Sequence, residues 1–233
     1  MRRIVLDTET TGLTPEEGHR IIEVACLELA GRRATGRHFH RFLNPERAID
    51  IGATQVHGLT AEDLLDKPKF ADIADELLEF VDGCELLIHN APFDVAFLNA
   101  ELTRIGRPRV ESVCKVTCTL VMARDIHPGK KNSLNALCER YAVDHSQRTL
   151  HGALLDAQLL CDVWLAMTRG QDALDIAMAG APSVALPAHA APSQAFLQVV
   201  RPSEEDLAAH AAMCERIERE SKGRCLWLHP EAA

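Results

Sequence analysis

The chain opens with an apolar run that ends in two carboxylates, IVLDTETTGL at residues 4–13. A short run rich in Ile, Val and Leu predicts a buried strand, which needs a folded domain around it. Successive side chains of a strand point to opposite faces, so Asp7 and Glu9 share one face about 7 Å apart. Two carboxylates this close repel each other unless a cation lies between them. The start of the chain therefore predicts a buried strand with a candidate site for a hard metal ion at its end.

Two more strands, and then an alternation of strands and helices, follow this first strand. Residues 20–29 and 34–44 predict strands on either side of the turn AGRR, so we expect a three-stranded antiparallel meander. Farther along, apolar periodicity predicts helices over 70–83, 91–106, 117–126, 133–143 and 152–170 and strands over 84–90 and 112–116. This order predicts an α/β domain, a mixed five-stranded sheet flanked by helices, that ends near residue 170.

The composition changes after the predicted domain. Residues 177–194 contain seven Ala and three Pro but no Asp, Glu, Lys or Arg, which predicts a flexible linker over 177–200. In the next segment, Ser203 and Asp206 form a capping box that starts a helix, and Gly223 stops it. A tail of this size buries little core by itself, so we expect the segment 201–233 to dock on another molecule.

The overall composition restricts the class of protein. A hydrophobic content of 47% and a charged content of 25% are typical of a soluble globular protein. The start MRRIVLDTE is not a signal peptide and no apolar run is long enough to span a membrane, so we expect a cytoplasmic protein without a membrane partner. Its eight scattered cysteines predict reduced thiols. The net charge of −9 argues against binding long nucleic acid through many phosphate contacts, but it is compatible with binding the end of a strand.

The segment DTETTG, taken alone, has two other interpretations besides a catalytic site, an ordinary strand end and a calcium-binding loop. It could be a polar strand end that turns at Gly12. It could also be a calcium loop, since Asp7, Glu9, Thr11 and Gly12 fall at positions 1, 3, 5 and 6 of that pattern. The calcium interpretation fails because position 12, which needs a bidentate Glu, is Gly18, and because a strand precedes the segment.

Two later segments also carry carboxylates where ligands commonly bind. Asp94 lies in the first turn of a predicted helix that follows a buried strand, with Asn90 as the expected N-cap. His151 precedes Asp156 by five residues, and Asp156 has leucine neighbours on its helix, an unusual place for a carboxylate without a partner. Singly, Asp94 could be an ordinary acid at a helix start, and His151 could be structural.

Together, the Asp-x-Glu pair, the later Asp and the His-x4-Asp motif resemble the DEDDh 3′→5′ exonucleases of the ribonuclease H-like superfamily. The resemblance is most specific in LDTETTGL, HNAPFDVAFL and HGALLDA and covers about 165 residues. It implies a ribonuclease H-like exonuclease fold and phosphodiester hydrolysis with two divalent cations, Mg²⁺ with Mn²⁺ as a substitute. In the implied arrangement Asp7 bridges both ions, and Glu9 and Asp156 complete the shell of the first. Asp94 holds the second ion largely through water, and His151 is the general base.

The resemblance also implies a pocket for the terminal nucleotide next to the metal ligands. Gly12 would let the backbone approach that nucleotide closely. His57 of the loop TQVHGLT would contact the nucleotide, the alternative being an ordinary surface histidine. Phe93 would pack on the terminal base or only staple its own helix. The implied substrate-binding residues are Asp7, Glu9, Thr10, Thr11, Gly12, Leu13, His57, Phe93 and Asp156.

The tail separates DNA proofreaders from RNA-trimming enzymes and oligonucleotide scavengers, which the catalytic motifs do not. A catalytic domain, a Pro/Ala linker, a capped helix and a terminal CLW resemble the epsilon subunits of bacterial DNA polymerase III. This resemblance implies that the C-terminal segment, with Leu226 and Trp227, binds the polymerase III alpha subunit. It also makes a theta-like third subunit a candidate partner and the single-stranded 3′ end of DNA the substrate.

The hexapeptide QDALDI at residues 171–176 resembles the peptide that binds the beta sliding clamp. The resemblance implies that Gln171, Leu174 and Ile176 contact the clamp, although the family usually has Phe in place of Ile176. Two other functions stay open. One is a free-standing DEDDh exonuclease that acts on RNA or short single-stranded oligonucleotides. The other is a non-catalytic adaptor with an inactive nuclease fold. The sequence argues against it, because all five active positions are filled.

Overall fold

A mixed sheet of five strands organises the part of the chain that carries the acidic motifs. The computed structural model describes residues 2–148, 150–169, 202–221 and 227–228. The strands are β1 (Arg2–Thr10), β2 (Ile21–Ala30), β3 (Arg33–Phe42), β4 (Glu85–Ile88) and β5 (Lys115–Cys118). Their order across the sheet is β3-β2-β1-β4-β5. The strands β1, β2 and β3 form the predicted antiparallel meander, whereas β4 runs parallel to both β1 and β5, so the predicted mixed sheet is confirmed.

Seven helices accompany the sheet in the described residues before 170, and an eighth follows in the tail. They are α1 (Ile51–His57), α2 (Ala61–Leu64), α3 (Phe70–Val81), α4 (Ala91–Arg104), α5 (Thr119–Ile126), α6 (Leu134–Tyr141), α7 (Ala153–Met167) and α8 (Glu204–Glu220). The prediction of a loop over residues 54–60 is wrong at its start, because Thr54–His57 belong to α1. That helix ends at Gly58, whose φ of 77° is left-handed.

Strand β1 is buried on both faces, since helices cover both sides of the sheet. Ile4 and Leu6 belong to one apolar cluster, which includes α3 and α4 residues such as Phe70 and Phe97. Val5 belongs to the other cluster, with α7 residues such as Val163. The side chains of β1 therefore alternate between an α4 side and an α7 side, and this alternation continues into the acidic end of the strand.

The chain divides into two units, Met1–Gly180 and Ala181–Ala233. In the second, α8 begins with the predicted capping box of Ser203 and Asp206, and the rings of His210 and Trp227 meet edge to face with centroids 6.0 Å apart. The linker, the clamp peptide and Leu226 lie outside the described residues, so these assignments stay predictions. Among the described helices, none combines the length and apolarity needed to cross a membrane.

Candidate active site

The acidic end of β1 meets the first turns of two helices. Val5 lies on the α7 side of the sheet, so the alternation puts Asp7 and Glu9 on the same side, where Asp156 occupies the first turn of α7. Strand β4 runs parallel to β1, so both strands end at the same edge of the sheet. The turn after β4 leads into α4, and Asp94 lies in its first turn. The four carboxylates that the sequence singled out therefore converge at one edge.

Glu23 of β2 holds the start of α7 in place. One of its carboxylate oxygens accepts a hydrogen bond from the backbone N–H of Ala153 at 3.1 Å. The other lies 2.8 Å from Nε2 of His40 on β3. A carboxylate at a helix N-terminus satisfies an otherwise unpaired N–H and complements the helix dipole. The meander thus fixes the turn that carries Asp156.

The pKa values of the carboxylates reflect this crowding. Burial, followed by the charges of Asp94 and Asp156, raises the pKa of Asp7 well above its usual value. Burial and then the charge of Asp156 raise the pKa of Glu9 to about 8. Burial also raises the pKa of Asp94 to about 7, even though Thr8 Oγ1 donates a 2.7 Å hydrogen bond to Asp94 Oδ1. Ionising these carboxylates in the folded chain therefore costs free energy, and a bound cation would offset that cost.

Arg148 supplies the partner that the sequence interpretation did not find for Asp156. Its Nε and Nη2 donate to Oδ1 and Oδ2 of Asp156 at 2.5 and 2.6 Å. Both side chains are buried, with 7% and 5% of their surface exposed. A buried carboxylate requires a counter-charge, so the sequence signals that Asp156 has a cationic partner but not which residue it is.

His151 lies at the rim of the acidic cluster. Its backbone N–H donates to the carbonyl of Val56 at 3.0 Å, and its Nδ1 lies 3.4 Å from Oδ2 of Asp156. Partial burial and then the charge of Arg148 lower its pKa below the usual value near 6.5. The imidazole is therefore neutral at physiological pH and able to accept a proton.

A cavity of about 400 Å³ beside the carboxylates contains most of the residues predicted to bind the terminal nucleotide. Its lining residues are Thr8, Glu9, Thr10, Gly12, Leu13, Asp50, Gly52, Ala53, Val56, His57 and Phe93. Thr11 is not among them, because it is fully buried and its Oγ1 lies 3.0 Å from Nδ1 of His19. A Cβ on Gly12 would lie 2.2 Å from the same imidazole, so the close approach at Gly12 is to His19.

His57 and Phe93 form part of the wall of this cavity. His57 is not a surface histidine, because it is only 6% exposed. Its Nδ1 accepts a hydrogen bond from the backbone N–H of Leu59 at 3.0 Å, and burial lowers its pKa, which keeps the ring neutral. Phe93 packs on Phe97 of its own helix, with ring centroids 5.0 Å apart. Its position is therefore compatible with both predicted roles.

A larger cavity of about 800 Å³ contains the carboxylates themselves and shares Thr8, Glu9 and Phe93 with the first. Cationic and amide side chains also line it, among them Arg124, Lys130, Arg148, Asn132 and Asn135. The sequence interpretation singled out none of these residues, because no motif marks them. A cavity that combines an acidic cluster with nearby cations suits an anionic strand bound together with metal ions.

Asn90 gives the turn into the site an unusual backbone. It occupies the N-cap position of α4 as predicted, but with φ 65° and ψ 47°, and its side chain accepts no capping hydrogen bond. Asparagine tolerates this left-handed conformation better than most residues. The turn leads into the first turn of α4, which contains Pro92 and Asp94. The backbone at Asn90 is therefore locally unfavourable next to a candidate site residue.

The donor set fits a hard divalent cation. Ligand atoms of Glu9, His151 and Asp156 all lie within 4.8 Å of one another, a spacing that one ion with bonds of about 2 to 2.5 Å can bridge. Carboxylate oxygens, such as those of Glu9 and Asp156, are the typical donors for Mg²⁺ and Mn²⁺. The fold and the site thus fit one class of protein, a nuclease whose acidic centre would hold divalent metal ions.

The comparisons with known proteins agree with this class. The model of the family described as exonuclease, of the RNase T type, matches residues 4–164. The DNA polymerase III epsilon subunit of Salmonella typhimurium is 48% identical over 236 residues, covering 97% of either chain. That of Escherichia coli strain K12 is 47% identical with the same coverage. The solved structure of exonuclease X in complex with 5′-overhanging duplex DNA has a TM-score of 0.58 at 24% identity, covering 73% of this chain and 93% of that one, and supports the fold.

The chain therefore belongs to the exonuclease family and, within it, to the epsilon subunits of DNA polymerase III. It is a 3′→5′ exonuclease of the proofreading type. The exonuclease family depends on divalent metal ions. The acidic cluster at the end of β1 is the candidate site for those ions.

Proposed function

We propose that the chain removes mispaired nucleotides one at a time from the 3′ end of a primer strand, with two divalent cations, Mg²⁺ or Mn²⁺. The observation that carries this proposal is the convergence of Asp7, Glu9, Asp94 and Asp156 on one cavity with His151 at its rim. Asp7, Glu9 and Asp156 would hold the first cation, and Asp94 the second, largely through water. When bound, the cations would activate the attacking water and stabilise the leaving 3′ oxygen.

The residues of the chain have separate tasks in this reaction. The water oxygen forms the new bond to phosphorus, the bond from phosphorus to the 3′ oxygen breaks, and a nucleoside 5′-monophosphate leaves. A ring nitrogen of His151 takes the proton of the water, which the neutral imidazole can do at physiological pH. Arg124 and Lys130, which line the same cavity, would contact phosphates of the strand.

We infer that the cavity accepts a single strand, and the selection of mispaired ends follows from this. A mispaired 3′ terminus separates from its template more easily than a paired one, so it reaches the cavity beside Leu13 and His57 more often. The net charge of −9 keeps the intrinsic affinity for DNA low. Low affinity protects correctly paired ends, provided that a partner brings the enzyme to the primer.

The C-terminal segment would supply that partner. Helix α8 exposes Leu207, Met213 and Ile217, and Trp227 is 75% exposed, an apolar surface that suits docking on another protein. We assign this surface, with Leu226, to the alpha subunit of polymerase III, and residues 171–176 to the beta sliding clamp. Tethering would raise the effective concentration at the primer end. A theta-like third subunit remains a candidate partner, and we expect action in the cytoplasm, at the replisome.

Purified full-length protein with Mg²⁺ and a 5′-labelled primer-template tests the proposal. The primer end is matched or mismatched, and an RNA oligonucleotide of the same sequence is digested in parallel. Faster stepwise removal of the mismatched end, lost in Asp7→Ala, supports proofreading. Equal or faster degradation of RNA would instead support a free-standing ribonuclease. Absence of any metal-dependent cleavage would leave the adaptor function.

A further inference from the structure

We propose that Arg148 is a positioning residue that occupies the cation site at Asp156, so that a metal ion enters only by displacing its guanidinium. The inference rests on the proposed two-metal function and deepens it. It concerns a residue outside the acidic and histidine motifs. It predicts that the cation and Arg148 exclude each other.

The contacts of Arg148 use its guanidinium almost completely. Nε and Nη2 form a fork on both oxygens of Asp156 at 2.5 and 2.6 Å. Nη1 donates to Oδ1 of Asn135 on α6 at 2.6 Å. Nη2 also lies 2.9 Å from Nδ1 of His151. The geometry is bidentate and buried, which is the arrangement in which arginine binds a carboxylate most specifically.

The guanidinium shares Asp156 with the candidate metal ion. Asp156 and His151 are two of the three residues whose ligand atoms lie within 4.8 Å of one another, and Nη2 of Arg148 touches both of them. A divalent cation on Asp156 would meet a positive charge at contact distance, and the two cations repel. The guanidinium of Arg148 therefore competes with the ion for Asp156.

The same contact sets the state of His151. A guanidinium only donates hydrogen bonds, so Nδ1 of His151 is the acceptor and the proton of the neutral ring is on Nε2. In this state the lone pair of Nδ1 is occupied and Nε2 has none to offer. Nδ1 therefore stays hydrogen-bonded as long as Arg148 remains in place. Displacement of Arg148 would thus release Asp156 and Nδ1 of His151 together.

Mn²⁺ binding to the full-length protein without DNA, followed by the electron paramagnetic resonance signal of free Mn²⁺, tests the inference. We expect Arg148→Gln to bind Mn²⁺ roughly tenfold more tightly than the wild type, a coupling in the range common for competing ligands. Arg148→Lys should fall between them, because lysine cannot form the fork. The matched control is Arg124→Gln, which removes a cation from the same cavity and should change the affinity less than about twofold because of screening.

Two readouts separate competition from a purely structural role. Without metal, Arg148→Gln should melt at a lower temperature than the wild type, and Mg²⁺ should raise its melting temperature by more. The ¹⁵N signal of Nδ1 in His151 should respond to Mg²⁺ in the wild type as the arginine contact is lost. In Arg148→Gln, the same ¹⁵N signal should show no arginine contact even before Mg²⁺ is added.

Unchanged or weaker Mn²⁺ binding in Arg148→Gln and in Arg148→Lys would overturn the inference and make Arg148 a permanent structural partner of Asp156. That outcome is compatible with the proposed function if the wild type still binds Mn²⁺ and shortens a mismatched primer. A wild type that binds no Mn²⁺ would instead overturn the proposed function and the inference with it.

Discussion

The stability of the metal-free protein should fall as the pH rises, because Glu9 becomes charged in a buried acidic cluster. Its pKa is about 8 in the folded chain and 4.5 as a free group. The folded state therefore binds the proton more tightly, and stability is lost as the pH rises from about 4.5 to about 8. The shift corresponds to about 5 kcal/mol over the whole interval and about 3 kcal/mol between pH 5.5 and 8.

Thermal unfolding in EDTA at several pH values measures this loss. A change of about 3 kcal/mol corresponds to a fall in Tm of about 10 °C for a domain of this size. Saturating Mg²⁺ should reduce the fall, since a cation on the carboxylates favours their charged forms. Glu9→Gln cannot ionise at this position, so it should be more stable than the wild type at pH 8 in EDTA. A flat wild-type profile, or no gain from Glu9→Gln, would refute the reasoning.

Three other substitutions test separate parts of the structure. His151→Ala should retain primer binding, measured by fluorescence anisotropy, and lose about 10² to 10⁴ in single-turnover rate, as expected for a general base. Gly12→Ala should lower the free energy of unfolding in urea by about 1 to 3 kcal/mol, because its Cβ would overlap the ring of His19. Glu101→Gln should cost about 1.5 to 3 kcal/mol in the same assay, since it leaves the partly buried Arg20 without its charged partner.

Matched controls distinguish these effects from general damage. Gly52→Ala adds a methyl group where nothing lies within 4 Å, so its unfolding curve should stay close to that of the wild type. Asp75→Asn breaks the exposed pair with Arg107 and should cost less than about 1 kcal/mol. A loss in either control as large as that of its partner variant would contradict the packing and ion-pair arguments. Unchanged turnover in His151→Ala would remove that residue as the base.

The order of the long elements could be predicted because their apolar periodicity is strong. Helix α3, at Phe70–Val81, follows the predicted stripe and ends before Gly83. Short elements have too few repeats for this signal, so α1 and α2, with seven and four residues, were missed. The strand predicted at 112–116 lies later, at Lys115–Cys118, because residues before it form a 3₁₀ turn at Val110–Ser112.

The site shows the same division between local pattern and tertiary contact. Asp7 and Glu9 were predictable because strand alternation alone puts them on one face. Arg148 was not, since its pairing with Asp156 depends on how the segment between α6 and α7 folds over the helix start. No periodicity records such a contact. The partner of a buried carboxylate can be expected from physics, but its identity requires the structure.

The position of β1 in the sheet has a consequence for how the enzyme moves. This strand has hydrogen-bonded neighbours on both sides, so its amides should exchange with solvent only when the whole domain unfolds. The wall of the 400 Å³ cavity includes residues of the seven-residue helix α1 and Leu13, which is 80% exposed. Such a short, exposed segment can open by itself. Hydrogen exchange should therefore show a chemical centre as slow as global unfolding, beside an entrance that opens and closes many times in each folded lifetime.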